Sequence, residues 1–96
     1  MRDSPQEEQR ATLEIRNKLG LHARAAKLIV ETVTLYDADI KIAKDGQTVD
    51  GKSIMGIMML AAEQGSRIEV TASGRQASEA LDAIRQLVDG RFNEPE

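Results

Sequence analysis

The sequence contains no cysteine and a single histidine, His22, in its 96 residues. The missing cysteines exclude a disulfide framework and a thiolate metal site, and they fit a cytoplasmic protein. One histidine also excludes a histidine-rich metal site. No apolar run approaches the roughly 18 residues of a membrane-spanning helix, and the polar segment 1–10 lacks the apolar stretch of a signal peptide. We therefore expect no membrane insertion.

Aromatic and basic residues are scarce as well. Tyr36 and Phe92 are the only aromatic residues, which leaves no platform on which nucleic-acid bases could stack. The 13 basic side chains are outnumbered by 16 acidic ones, so the formal net charge is -3. Without a basic excess there is nothing to neutralise the phosphates of a nucleic acid. Nucleic acid is therefore not an expected partner.

Motifs for nucleotide binding and for hydrolysis are missing too. Gly46, Gly51 and Gly56 form neither a G-x-G-x-x-G sequence nor a P-loop, and the chain has no G-x-S-x-G element. A Ser-His hydrolase is also disfavoured because so small a domain leaves little room for a substrate pocket. We predict neither a cofactor nor a bound metal.

Hydrophobic periodicity predicts one folded domain over residues 11–90, between a mobile tail of residues 1–10 and a short tail of residues 91–96. Alternating apolar residues predict strands, and apolar residues at helical spacing predict helices that end at points such as Gly90. The predicted strands are 12–16, 39–44, 47–50 and 67–72, and the predicted helices are 23–34, 53–62 and 76–89. The middle helix is expected to be shorter than drawn, because Gly56 is a poor helix former.

The predicted order is β-α-β-β-α-β-α, and every strand has one polar face. A parallel sheet covered on both sides needs nearly continuous apolar strands, which this sequence lacks. The arrangement therefore favours an α+β two-layer sandwich, with a four-stranded antiparallel sheet and all three helices on one face.

His22 is the main candidate for chemistry. It follows Gly20 and precedes a helix that starts near Ala23, so it lies beside the free N–H groups of a first helical turn, where anions bind. Arg24 adds a guanidinium that can hold phosphate through two parallel hydrogen bonds. These groups suit a phosphoryl group carried on histidine better than a metal ion, which needs more ligands. The alternative is that His22 is an ordinary surface residue.

The segment from Lys52 to Leu60 is the second candidate. Ser53 is at the expected N-cap position of the predicted helix, and capping alone would account for a serine there. Apolar residues point all round the following helix, so one sheet face cannot bury them all. Some are therefore expected on the surface as a docking patch, although loose filling of the core by methionine is an alternative.

The ten residues NKLGLHARAA, from Asn17 to Ala26, closely resemble the active-site signature of the HPr family. These proteins are the histidine-containing phosphocarriers of the bacterial phosphoenolpyruvate-dependent sugar phosphotransferase system. The segment KSIMGIM, from Lys52 to Met58, resembles the family's regulatory serine motif. The spacing between the motifs also matches the family, and the likeness covers roughly residues 11–90.

This resemblance implies an open-faced β-sandwich and a protein substrate passed between enzymes, rather than an enzyme. It implies that phosphorylated Enzyme I transfers its phosphoryl group to Nδ1 of His22, which passes it to IIA domains. Arg24 matches the family's phosphate-stabilising arginine, and Ser53 matches the serine that HPr kinase/phosphorylase modifies. Three further residues match the family's exposed docking patch, and they are Ile54, Met55 and Met58.

One residue departs from the family pattern: Ala25 stands where the family usually has proline. Since proline in a first helical turn removes no hydrogen bond, alanine there is compatible with the same helix.

Three alternatives stay open. The chain could serve the nitrogen-related paralogous system, which uses similar carriers. It could be an adaptor in which phosphorylation of Ser53 controls binding to a transcriptional regulator or a metabolic enzyme. It could also be a structural or ligand-binding α+β domain whose motifs arise by chance.

Overall fold

A computed structural model describes residues 8–95 of the chain. Residues 1–7 of the predicted tail, and residue 96, lie outside the described part. The strands are β1 Gln9–Glu14, β2 Asp39–Lys44, β3 Gln47–Asp50 and β4 Arg67–Ser73. The helices are α1 Ala23–Val33, α2 Ile54–Met59 and α3 Ala77–Asp89, and a one-turn segment at Arg91–Asn93 follows α3.

The four strands form one sheet in the order β1-β4-β2-β3, and every neighbouring pair is antiparallel. The prediction of an α+β fold with a four-stranded antiparallel sheet and three helices is confirmed. Strands β2 and β3 are joined by a tight turn at Asp45 and Gly46, which both have positive φ angles (51° and 84°). A turn of that kind is what an Asp-Gly pair between two strands predicts.

Strand β1 begins earlier than its alternation indicated. Gln9 and Arg10 pair with Ala72 and Thr71 of β4, so these two residues belong to the sheet and their assignment to a tail is wrong. Backbone hydrogen bonds across the ladder order them although their side chains are exposed. Leu13 and Ile15, the two apolar residues of the predicted strand 12–16, are both buried.

The core lies between the sheet and the helices. Helix α1 contributes Ala25, Ala26, Ile29 and Val33, and α3 contributes a comparable stripe of five buried residues. Such spacing on one helical face is the reason these helices pack stably against a sheet. Helix α2 differs, because it has six residues and buries only Ile57. It is thus shorter than the predicted range 53–62.

The predicted C-terminal tail is wrong for residues 91–95. Phe92 is fully buried in the core, and the backbone turns sharply at Arg91, Phe92 and Asn93, whose φ angles are 56°, 54° and 60°. This turn sends the chain back toward the start of α1. Burial of an aromatic side chain supplies the hydrophobic free energy that holds the turn in place.

No helix within residues 8–95 is both long and apolar enough to cross a membrane.

Candidate functional site

The loop before α1 is fixed by a close backbone contact. Gly20 has a φ of 68°, and a Cβ atom there would collide with the carbonyl oxygen of Ala62. The next residue, Leu21, donates its backbone N–H to that same oxygen at 2.9 Å. Only glycine meets both demands at position 20. The loop is therefore held against the chain that follows α2, and His22 is presented at the start of α1.

His22 is the N-cap residue of α1, with extended backbone angles. Its carbonyl oxygen accepts the first helical hydrogen bond, from the N–H of Ala26 at 2.9 Å. The His22 side chain does not cap the helix in the described structure. The N–H groups of Ala23, Arg24 and Ala25 precede the first helical bond, so they point out of the helix end as free donors. The imidazole thus lies beside a site that favours negative charge.

Glu94, from the C-terminal segment, meets both predicted site residues. Its Oε2 atom is 2.6 Å from Nε2 of His22 and 3.5 Å from Nη1 of Arg24. Arg24 also donates through Nη1 to the carbonyl oxygen of Phe92 at 2.9 Å. His22 and Arg24 are therefore brought together as predicted, and a carboxylate from the far end of the chain joins them.

Asn17 holds this carboxylate from the other side. Its Nδ2 atom donates to the Glu94 Oε1 atom at 3.1 Å and to the Gly20 carbonyl oxygen at 2.8 Å. Asn17 is fully buried, and within residues 8–95 it is the one buried polar residue. Its Oδ1 atom finds no hydrogen-bond partner in that part of the chain. Burying an amide is costly unless it is bonded, so its two bonds to the site residues account for its place there.

The surroundings lower the pKa of the Glu94 carboxyl below its ordinary value. Burial is the largest single influence and acts to raise the pKa, since the side chain is only 10% exposed. Hydrogen bonds from His22 and Asn17, together with the charges of His22 and Arg24, outweigh it. Glu94 is therefore ionised at neutral pH.

Sequence reasoning missed Asn17, Phe92 and Glu94 as parts of the site. Asn17 was named only as the first residue of the segment that resembles the HPr signature, with no role of its own. Phe92 offered a usable signal, because it is one of two aromatic residues and stands in an otherwise polar segment. A large apolar side chain in a predicted tail indicates an anchor. Nothing local pointed to Glu94, which is 72 residues from His22 in the sequence.

Ser53 is the N-cap residue of α2, as predicted. Its Oγ atom accepts the N–H of Gly56 at 2.9 Å. No hydrogen bond joins Ser53 to His22 among residues 8–95, and the two side chains have different partners, Gly56 and Glu94.

The outer surface of α2 is apolar. Ile54, Met55 and Met58 are all exposed, and Met55 is 71% exposed. Met59 and Leu19, which the sequence did not single out, are each 67% exposed. Leu19 belongs to the loop that is bonded to the chain after α2, so the apolar surface and the His22 loop are structural neighbours. We call the five residues the apolar surface.

Comparison with known proteins gives the same family from sequence and from structure. Residues 9–89 match the family described as "PTS HPr component phosphorylation site". The phosphocarrier protein HPr of Neisseria meningitidis serogroup A is 44% identical over 85 residues, which are 88% of this chain and 96% of that protein. A crystal structure of HPr from Thermoanaerobacter tengcongensis superposes with a TM-score of 0.87 at 41% identity, covering 92% of this chain and 99% of the other. HPr from Bacillus anthracis superposes with a TM-score of 0.81 at 46% identity, covering 84% and 96%.

Proposed function

The chain belongs to the HPr family of phosphocarriers of the phosphotransferase system, and from this we propose that His22 is the residue that carries the phosphoryl group. In this proposal phosphorylated Enzyme I is the donor, IIA domains are the acceptors, and the exchange takes place in the cytoplasm. The observation that carries the assignment is the position of His22. It is the only imidazole in the sequence, and it stands at the open N-terminus of α1 beside Arg24.

The geometry suits attack by Nδ1. Nε2 of His22 is occupied by Glu94, so Nδ1 is the ring nitrogen that is left for a phosphoryl group. The free N–H groups at the start of α1 have no acceptor within their own helix, and they can donate to the phosphoryl oxygens instead. A phosphoryl group at this helix end is therefore stabilised without a metal ligand.

Arg24 is the second residue that we assign to the phosphoryl group. Its side chain is half exposed and uses one nitrogen, Nη1, for both of its described contacts, with Phe92 and Glu94. A guanidinium has five N–H donors in a planar fork. The donors on its other nitrogens are available to phosphoryl oxygens, and they act mainly on the charge that develops during transfer.

The apolar surface of α2 and Leu19 is the docking site in this proposal. A large exposed apolar area beside a reactive side chain is typical of a surface that binds partner proteins, and methionine adapts to partners of different shape. Enzyme I and the IIA domains would then use overlapping contacts, so that only one of them binds at a time.

Ser53 is a second, regulatory phosphorylation site in this proposal, and an HPr kinase/phosphorylase is its modifying enzyme. The hydroxyl lies beside Ile54 and Met55 at the edge of the apolar surface. A phosphate would add roughly two negative charges there, close to side chains that must lose water when a partner binds. The predicted effect is weaker docking with the fold retained, because negative charge is favourable at a helix N-terminus.

The central experiment is incubation with phosphoenolpyruvate and purified Enzyme I, followed by intact-mass measurement. We expect one phosphoryl group on the wild-type protein, lost in mild acid as phosphohistidine is, and none on His22→Ala. Ser53→Ala is the matched control and should be labelled like wild type. Full labelling of His22→Ala would overturn the assignment.

A further inference from the structure

We propose that Glu94 is a positioning residue for phosphoryl transfer at His22, because its carboxylate holds the imidazole in the tautomer that leaves Nδ1 free. This inference rests on the proposed function of His22. Glu94 lies outside residues 9–89, the segment that matches the family description, and the assignment is argued from the contacts of this chain.

The first step is the direction of the hydrogen bond between the two side chains. The Glu94 Oε2 atom and the His22 Nε2 atom are 2.6 Å apart, which is slightly shorter than the roughly 2.7–2.9 Å of charge-assisted N–H···O hydrogen bonds. An ionised carboxylate can only accept a hydrogen bond. Nε2 must therefore carry the hydrogen, and in the neutral ring the lone pair is then on Nδ1.

The second step is that a second hydrogen bond restrains the Glu94 side chain. Its other oxygen, Oε1, accepts from Asn17 at 3.1 Å, and Asn17 is itself held by the Gly20 carbonyl oxygen. The carboxylate thus bridges two donors, one from the loop before α1 and one from the imidazole. This bridging keeps the ring in one orientation as well as in one tautomer.

The third step concerns the backbone turn that places Glu94 beside His22. Three consecutive residues, Arg91, Phe92 and Asn93, have φ angles between 54° and 60°, which are unfavourable for residues that carry a Cβ atom. Strained backbone of this kind concentrates at functional sites and persists where surrounding contacts over-determine it. Here the buried Phe92 side chain and the bond from Arg24 to the Phe92 carbonyl provide those contacts.

During transfer the Nδ1 lone pair forms the new N–P bond. The bond between phosphorus and the donor breaks, and its electron pair leaves with the donor. The Nε2 hydrogen stays in the hydrogen bond to Glu94. The ring was neutral before the attack and gains positive charge, which the adjacent carboxylate offsets. Glu94 thereby acts through His22 and touches no phosphoryl oxygen.

The sharpest variant is Glu94→Gln, because glutamine has one accepting oxygen where Glu94 uses two. With its oxygen toward Asn17, the new amide presents an N–H to Nε2 of His22, and Nε2 must then accept. The hydrogen moves to Nδ1, which blocks the nucleophile. Glu94→Ala removes the constraint without reversing it, so its effect should be smaller. Glu14→Gln is the matched control, since Glu14 is an exposed residue of β1.

Two measurements on the folded full-length variants test this. The nitrogen chemical shifts of the single imidazole, taken where the ring is neutral, report the tautomer. Quenched time courses with Enzyme I report the maximal rate and the half-saturating concentration. We expect Glu94→Gln to raise the fraction of His22 that carries its hydrogen on Nδ1 and to slow the maximal rate about tenfold or more. The half-saturating concentration of Enzyme I should stay unchanged. The control should match wild type in both.

Each other result overturns the inference. Unchanged tautomer populations in Glu94→Gln would show that the contact with Glu94 does not determine the tautomer of the His22 ring. An unchanged rate would show that the tautomer does not matter for transfer. Faster transfer in Glu94→Ala would show that the carboxylate obstructs the site. Absence of phosphorylation in the wild-type protein would instead overturn the proposed function, while the tautomer measurement would still decide whether Glu94 positions the ring.

Discussion

Helices α1 and α2 begin with different residues at the same structural position, and these residues behave differently. Ser53 caps α2 by accepting the N–H of Gly56. His22 occupies the N-cap of α1 but makes no such bond within the described chain, and its ring is engaged by Glu94 instead. One helix end is closed by its own side chain. The other is left open to an outside anion.

The packing of the two helices explains why this difference is tolerated. Helix α1 has eleven residues and buries four of them, so its packing against the core stabilises it without a side-chain cap. Helix α2 has six residues and buries only Ile57. Short helices are marginal without outside support, so α2 depends more on Ser53. The N-terminus of α1 can therefore lack a side-chain cap because the helix is well packed.

The largest expected difference between the two helix ends concerns Arg24, on the open one. Arg24→Ala should slow phosphorylation of His22 about 100-fold, because a donor aimed at developing charge is lost. Its stability should fall by about 1–2 kcal/mol, since the hydrogen bond to the Phe92 carbonyl and the ion pair with Glu94 are both removed. Single-turnover rates and thermal unfolding measure the two effects. Arg24→Lys, which keeps the charge but not the planar donors, should lie between. Loss of folding in Arg24→Ala would instead assign the residue a structural role.

Substitutions of Ser53, at the capped end of α2, should change partner binding or stability and not the transfer step itself. Ser53→Asp should raise the half-saturating concentration of Enzyme I about tenfold, because a charge beside Ile54 and Met55 must lose water when the partner docks. Ser53→Ala should keep the transfer rate and lose about 1 kcal/mol of stability with the missing cap. Saturation curves and denaturant titrations test both. Identical curves for wild type and Ser53→Asp would reduce Ser53 to a helix cap.

The sequence predicted most of the fold because its signals are local. Strands β2 and β3 have the predicted bounds, since apolar alternation flanks an Asp-Gly turn. The position of His22 at a helix start, with Arg24 nearby, also follows from neighbouring residues. Glu94 could not be found in this way, because it reaches His22 through a left-handed turn after α3. Neither the turn nor the pairing has a periodic signal, and the contact exists only once the sheet and helices have formed.

Acid should reduce the stability that Glu94 contributes at the N-terminus of α1. Its pKa is lower in the folded chain than in the unfolded one, so its contribution is fully present above the unfolded pKa, ordinarily about 4.3. The contribution is lost as the pH falls through the lowered folded value. The stability difference between wild type and Glu94→Gln should therefore shrink as the pH drops through this range. Denaturant titrations at several pH values measure it, and Glu14→Gln is the control. A difference that does not vary with pH would contradict an ionised Glu94.

The smallest expected effect comes from placing proline at the same position, the third residue, of each helix. In α1 the N–H of Ala25 precedes the first helical bond, so Ala25→Pro removes no helical hydrogen bond, and the ring restricts the unfolded chain. We expect a gain of roughly 0.4–1 kcal/mol in stability. The transfer rate should fall only slightly, because the N–H groups of Ala23 and Arg24 remain available to phosphoryl oxygens. In α2 the N–H of Gly56 is bound to Ser53, so Gly56→Pro should destabilise the protein instead. Thermal unfolding of both variants compares the two helix ends directly. A loss of stability in Ala25→Pro would mean that the N–H at position 25 has an acceptor after all, or that the buried Ala25 site lacks room for the ring, and the first turn of α1 would then be less open than its geometry indicates.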